Sequence, residues 1–204
     1  MTEKIIFENV SLSFGTQEIL KNFTCELLPG KVIGIVGRNG AGKSTFLKLA
    51  GQLLKPDNGK IISSKNIAAV TPEMKIYDDL TAEENLKFFA KLRGKNLSAE
   101  NILELGRHVG LDLEKFAKVR AGNFSTGMRQ RLKFAILLSV DADIWLLDEP
   151  TSNLDAEGRE IFFAEIKKAC GAGKIILLAT NDKFDIEICN EIISVDNLSC
   201  AEKS

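Results

Sequence analysis

The sequence predicts an α/β fold built on a mainly parallel sheet. Short apolar runs of β type alternate along the chain with helical patterns. One of those runs, Val32–Val36, ends in a glycine-rich loop that opens a helix. The 204 residues, 45% of them hydrophobic, suffice to bury one good core and not two.

Each element follows from local pattern. Ile5–Val10 and Phe23–Leu28 read as early strands. Val32–Val36 is a short buried strand bounded by Pro29-Gly30 and Gly37, and a helix is expected over Lys43–Ala50. Pro56-Asp57-Asn58-Gly59 reads as a turn, and Ile61–Val70 holds one or two more strands. The middle of the chain changes character. Thr81–Arg93 is helical, opened by the capping box Thr81-x-x-Glu84, with Leu86, Phe89 and Ala90 on one face. Ala99–Val109 and Ser125–Ser139 are two further helices, so residues from about 75 to 137 form a helical insert. Ile144–Leu147, Lys174–Ala179 and Ile192–Val195 resume the sheet, with a helix over Ala156–Ala169 between the first two. The chain is expected to be a single domain, 1–204, with its core over about 1–74 and 138–204. Trp145, within a buried strand, is expected in the core.

Composition narrows the function. Lys and Arg number 27 against 28 Asp and Glu. That balance gives no basic surface for nucleic acid and no acidic excess of the kind that prevents folding. Cys25, Cys170, Cys189 and Cys200 form no CxxC pair, so they read as inert, reduced thiols rather than a zinc or disulfide framework. No apolar run approaches the roughly 20 residues needed to span a bilayer, so a role at a membrane would require docking on another chain. His108, the single histidine, reads as a surface residue of the insert.

Two motifs carry chemistry. Gly37-Arg38-Asn39-Gly40-Ala41-Gly42-Lys43-Ser44 matches G-x-x-x-x-G-K-[ST], with Thr45 following on the helix. Glycines let successive backbone N–H groups point at phosphate oxygens, and Lys43 neutralises the β- and γ-phosphates. Ser44 offers its hydroxyl to Mg²⁺, and the helix aims its positive end at the anion. Downstream, Ile144-Trp-Leu-Leu-Asp148-Glu149-Pro150 is an apolar strand ending in two acids. Asp148 is placed to hold Mg²⁺, and Glu149 to orient or deprotonate an attacking water.

With these sites on the page, Phe124-Ser125-Thr126-Gly127-Met128-Arg129-Gln130-Arg131-Leu132 resembles the signature of the ABC-type ATPases, usually Leu-Ser-Gly-Gly-Gln. Thr151-Ser-Asn-Leu-Asp155 is similar to that family's D-loop, and Phe14 lies where the family keeps an adenine-stacking aromatic. The resemblance covers essentially the whole chain. It implies a P-loop NTPase core with a small antiparallel N-terminal β subdomain and a helical insert. It also implies two ATP, with Mg²⁺, sandwiched between two copies of the chain or between it and a homologous ATPase subunit. Ser125 and Gly127 of one copy would then contact the γ-phosphate held by the other. Read from the residues alone, Ser125 is equally a helix cap, and Phe14 could be a core residue, with adenine stacking the favoured reading.

The sequence departs from the family twice. The usual Gln falls on Pro72, which has no side-chain ligand to give, while Glu73 beside it could offer an oxygen to Mg²⁺. The usual His is Asn181, which can donate a hydrogen bond but cannot carry a proton at neutral pH. Either Asn181 is a working substitute or hydrolysis is slow. The function expected is the ATP-hydrolysing subunit of a transporter, cytoplasmic and peripheral on the inner face of the membrane, driving a separate permease that docks on the insert; Met74 and Tyr77 lie where the family couples to its membrane subunit and read equally as plain loop residues. The signature's ending and the short tail look more like exporter-type subunits. The alternatives are a soluble ABC ATPase without transport, as in iron–sulfur assembly, and a domain that binds ATP with little hydrolysis.

Overall fold

The computed structural model describes residues 4–15, 17–63, 66–196 and 199–202. In chain order the elements are β1 (Ile5–Phe14), β2 (Gln17–Leu27), β3 (Lys31–Val36), α1 (Lys43–Ala50), β4 (Asn58–Ile62) and β5 (Ile67–Val70). There follow α2 (Ala82–Leu92), α3 (Ala99–Val109), α4 (Leu113–Phe116), α5 (Thr126–Val140), β6 (Ile144–Asp148), α6 (Ala156–Gly171), β7 (Ile175–Ala179), α7 (Lys183–Glu187), β8 (Glu191–Ser194) and β9 (Ser199–Glu202). The chain divides into two compact units: residues 1–71, 143–150 and 166–204, and residues 72–142 and 151–165.

In the first unit the described strands form two sheets, of order β2-β1-β4 and β5-β6-β7-β3-β8-β9. The larger is parallel from β5 to β8, with β9 antiparallel on its edge. The smaller is antiparallel throughout. The α/β architecture is therefore the one the sequence predicts. The central strands β6 and β7 are buried at every residue, which is why they read as unbroken apolar runs. Phe46 of α1 stacks on Phe7 (centroids 5.0 Å apart), and Phe23 packs edge-on against both rings. This aromatic cluster locks α1, and the loop before it, onto the small sheet.

Several elements differ from expectation. β1 runs on to Phe14 because bulges absorb its polar stretch: Asn9 and Asn22 take left-handed φ of 49° and 47°. The Asn9 N–H donates to Thr24 Oγ1 and the Asn22 N–H to Ser11 Oγ. Asn58-Gly59 is strand rather than turn. Gly59, at φ 81°, lies where a Cβ would come within 2.4 Å of the Glu8 and Asn9 carbonyl oxygens. The 61–70 stretch is the C-terminal end of β4 plus the separate strand β5.

In the second unit the expected capping box forms. Thr81 Oγ1 accepts from the Glu84 N–H and Glu84 from the Thr81 N–H. Buried Asn85 pins the preceding loop, accepting from the Tyr77 N–H and donating to the Tyr77 and Thr81 carbonyls. Tyr77 is thereby presented at the surface with Phe88 and Phe89, ring centroids 5.0 and 6.1 Å away. His108 is not a plain surface residue: its Nδ1 lies 2.8 Å from Glu165 Oε1, and its side chain is two-thirds covered. Trp145, in the first unit, is in the core as expected. Cys189 is buried and Cys25 and Cys170 half-buried, while the side chain of Cys200 lies outside the described residues.

Candidate functional site

The carboxyl ends of β6, β7 and β3 are neighbours in the large sheet, and the motif residues of the first unit converge there. Gly37, Gly40 and Gly42 take φ of 155°, 80° and 110°, values that L side chains rarely adopt. The Ala41 N–H donates to the Arg38 carbonyl, closing the turn, and the Phe46 N–H donates to Gly42 as the helix begins. Gly42 is also a packing position, since a Cβ there would lie 2.6 Å from Ile19 Cγ2 of β2.

The start of α1 differs from those of five other α-helices. The side chains of Thr81, Ser98, Asp112, Ser125 and Asp182 cap α2, α3, α4, α5 and α7. α1 begins at Gly42 with no side-chain cap and no acid in its first turn. No side chain caps its first-turn N–H groups, and its positive dipole end carries no acid of its own. Lys43 is buried to 8% exposure, its Nζ donating to the Gly37 carbonyl at 2.9 Å and the Arg38 carbonyl at 3.4 Å. Ser44 and Thr45 are half-buried on the same turn.

Asp148 ends β6, buried. Glu149 follows with a left-handed φ of 47°, and its N–H donates to the Ala179 carbonyl of β7 at 2.9 Å. Burial raises the Glu149 carboxyl above the ordinary glutamate range; Asp148 and Asp185 push the same way, and Lys43 and the Asn181 backbone N–H oppose them. The Asn181 side-chain amide satisfies both its ends when Oδ1 accepts from Lys43 Nζ (2.9 Å) and Nδ2 donates to the Gly37 carbonyl (2.6 Å). The Asn39 amide lies 2.8 Å from it. Asn181 therefore touches both the phosphate loop and Glu149. Beneath it Thr180 and Asp185, both fully buried, share a 2.8 Å hydrogen bond.

Phe14 is 53% exposed where β1 meets β2, so it is not core. In the second unit Ser125 caps α5, its Oγ accepting from the Met128 N–H. Gly127 leaves room for the Asn153 carbonyl, which a Cβ would approach to 3.1 Å. Arg131 binds Asp155 at 2.7 Å and the Val109 and Gly110 carbonyls. Glu73 is exposed beside Pro72.

Residues 20–152 match the family model described as ABC transporter. The chain is 31% identical to the Nod factor export ATP-binding protein I of Cupriavidus metallidurans, over 96% of this chain and 69% of that one. It is 35% identical to the ABC transporter ATP-binding protein NatA of Bacillus subtilis, over 81% and 73%. The chain belongs to the ABC transporter ATP-binding family. Among solved structures, a dimeric ATP-binding cassette in a post-hydrolysis state with ADP and Pi is similar at a TM-score of 0.82 and 27% identity, over 93% of each chain. An ATP-binding subunit of an ABC transporter shares the fold at 0.82 over 93% and 85%, at 24% identity. As a member of this family the chain is an ATP-binding protein of the ATPase class. No helix among the described residues is long and apolar enough to cross a membrane.

Two residues of this ABC protein's site escaped the sequence reading. Asp196, just past β8, accepts from the Arg38 N–H (2.9 Å) and Arg38 Nε (3.3 Å), tethering the phosphate loop. Glu18 lines a cavity beside the same loop. Neither lies in a recognisable motif. The signal for Asp196 is the place of β8 next to β3, which only the sheet order reveals.

Proposed function

We propose that this chain binds and hydrolyses ATP as the energising subunit of an ABC transporter, and that the uncapped start of α1 is the phosphate site. Gly37–Thr45 would cradle the phosphates, with Lys43 as counter-charge and Phe14 stacked on the adenine. The Mg²⁺ expected with ATP fits the donors present. Ser44 and Asp148 supply hard oxygens, Glu73 is a further candidate, and no cluster of three acids, Cys or His among the described residues would hold a metal without the phosphates. Bound there, Mg²⁺ would neutralise developing phosphate charge. Glu149, its carboxyl raised by burial, would take the proton of the attacking water, and Asn181 would stand as hydrogen-bond partner where the family keeps His.

Ser125 and Gly127 would complete the site of a second copy or a homologous subunit, as the dimeric relative supports. The loop and α2 carrying Tyr77 and Phe88 would dock a separate permease, which places the subunit on the cytoplasmic face of a membrane. The relative named for export favours export. The test is to express the chain alone and together with any multi-spanning protein that its neighbouring reading frames are found to encode. ATP turnover, two ATP trapped per dimer by Glu149→Gln, and co-purification of a multi-spanning partner are expected. A monomer at saturating ATP, or turnover unchanged by Lys43→Ala, would overturn the reading.

A further inference from the structure

The cavity beside the phosphate loop has a volume of 390 Å³ and is lined by Glu18, Arg38, Asn39, Gly40, Ala41 and Asp196. Its Glu18 wall belongs to β2. Glu18 pairs with Ser13 across the same hairpin on which Phe14 pairs with Gln17, and the next residue, Ile19, closes on Gly42. A nucleotide whose phosphates lie on the loop and whose base lies on Phe14 must pass its sugar between the two, and Glu18, which shares the cavity with the loop, stands on the same hairpin as Phe14.

Two carboxylates at the edge of an anion site require a reason, because each repels the triphosphate. Asp196 has one: both its oxygens are held by Arg38, whose backbone and side-chain N–H groups keep its carboxyl below the usual aspartate range. The ion-pair partner of Glu18 is different, an exposed Lys21 at 3.4 Å, a pairing of little worth in water. Its two oxygens can each accept one hydrogen bond, the complement of two adjacent hydroxyls. An acidic side chain set past a glycine-rich phosphate loop reads ribose in the same way in dinucleotide-binding folds.

We infer that Glu18 accepts hydrogen bonds from the ribose hydroxyls of the bound nucleotide and selects ribonucleoside over deoxyribonucleoside triphosphates. The inference rests on the nucleotide reading above and adds to it a determinant of sugar specificity. Calorimetric titration of the full chain with ATP, 2′-deoxy-ATP, 3′-deoxy-ATP, ITP and inorganic tripolyphosphate tests it. ATP should bind the wild type about 10-fold more tightly than either deoxy analogue, the scale of one charge-assisted hydrogen bond. In Glu18→Gln and Glu18→Val the preference should fall within about 3-fold while tripolyphosphate binding holds or tightens. Equal binding of ATP and both deoxy analogues by the wild type would overturn the inference alone. So would a preference that survives both substitutions, or one that appears between ATP and ITP instead. Failure of ATP and tripolyphosphate alike to bind would overturn the nucleotide reading with it.

Discussion

Gly40 and Gly42 occupy one loop with positive φ, yet the structure predicts unequal costs for an alanine at each. At Gly40, φ is 80° and a Cβ would meet nothing within 4 Å. The cost there is the left-handed backbone alone, about 1–2 kcal/mol. At Gly42, φ is 110° and the Cβ would lie 2.6 Å from Ile19 Cγ2. That methyl sits on the β-branched carbon of a strand residue and cannot swing away as a flexible tip would. Overpacking of this kind adds about 1–3 kcal/mol, so Gly42→Ala should cost about 2–5 kcal/mol. Ile19→Ala is itself destabilising, by about 2–5 kcal/mol, but in the double variant the clash is gone. The two substitutions should therefore couple favourably by about 1–3 kcal/mol. Urea unfolding of the four proteins, followed by far-ultraviolet circular dichroism without nucleotide, measures this. If Gly42→Ala costs no more than Gly40→Ala, or if the coupling is zero, the packing of β2 onto the phosphate loop is not the constraint argued here.

Glu149→Gln should abolish ATP turnover while preserving ATP binding. Because the folded carboxyl is raised above its unfolded value, its stabilising contribution is present at low pH and lost as pH rises through the folded value. At neutral pH the amide variant should therefore melt slightly higher, by roughly 1–3 °C for a half-buried group; turnover equal to wild type rejects its role as base. In the wild type the acid limb of hydrolysis should lie above the range of an ordinary glutamate, and a limb at or below it in the pH–rate profile removes the burial argument. Asn181→Ala should lower turnover about 100-fold, whereas Asn181→His should retain it and gain a limb near pH 6.5; an alanine variant as fast as wild type leaves Asn181 without a role. Ser125→Ala should cost about 1 kcal/mol as a lost cap and slow hydrolysis without weakening ATP binding to the single chain; unaltered hydrolysis would make Ser125 a cap and nothing more.

The sequence revealed those parts of the fold whose local chemistry and tertiary role coincide. β3, α1, β6 and β7 are buried on both faces or end in motif residues, so apolar runs and glycines marked them within a residue or so. β1 was cut short because Glu8-Asn9 shifts the phase of its alternation, from buried Ile5 and Phe7 to buried Val10 and Leu12. It is the bulges and the facing Asn22 and Thr24 that make the stretch a strand, and those partners are remote in sequence. α4 and α7 hold too few residues for periodicity to register. His108 read as surface because nothing near it in sequence announces Glu165, 57 residues away. At the site the phosphate loop and the two acids were legible as motifs. The bond network from Asn181 to Lys43, Gly37 and Glu149 was not, because it depends on β7 lying between β6 and β3.

The bare start of α1 also ties the lifetime of the fold to the energy state around it. The other described caps are covalent parts of the chain and are always present, whereas this one must arrive from solution. A ligand that binds only the folded form adds about 2.7 kcal/mol when it stands at 100 times its dissociation constant. That is a sizeable share of the roughly 5–15 kcal/mol that separates folded from unfolded domains. Nucleotide depletion would therefore leave this protein more prone to unfolding and to proteolysis of the opened chain.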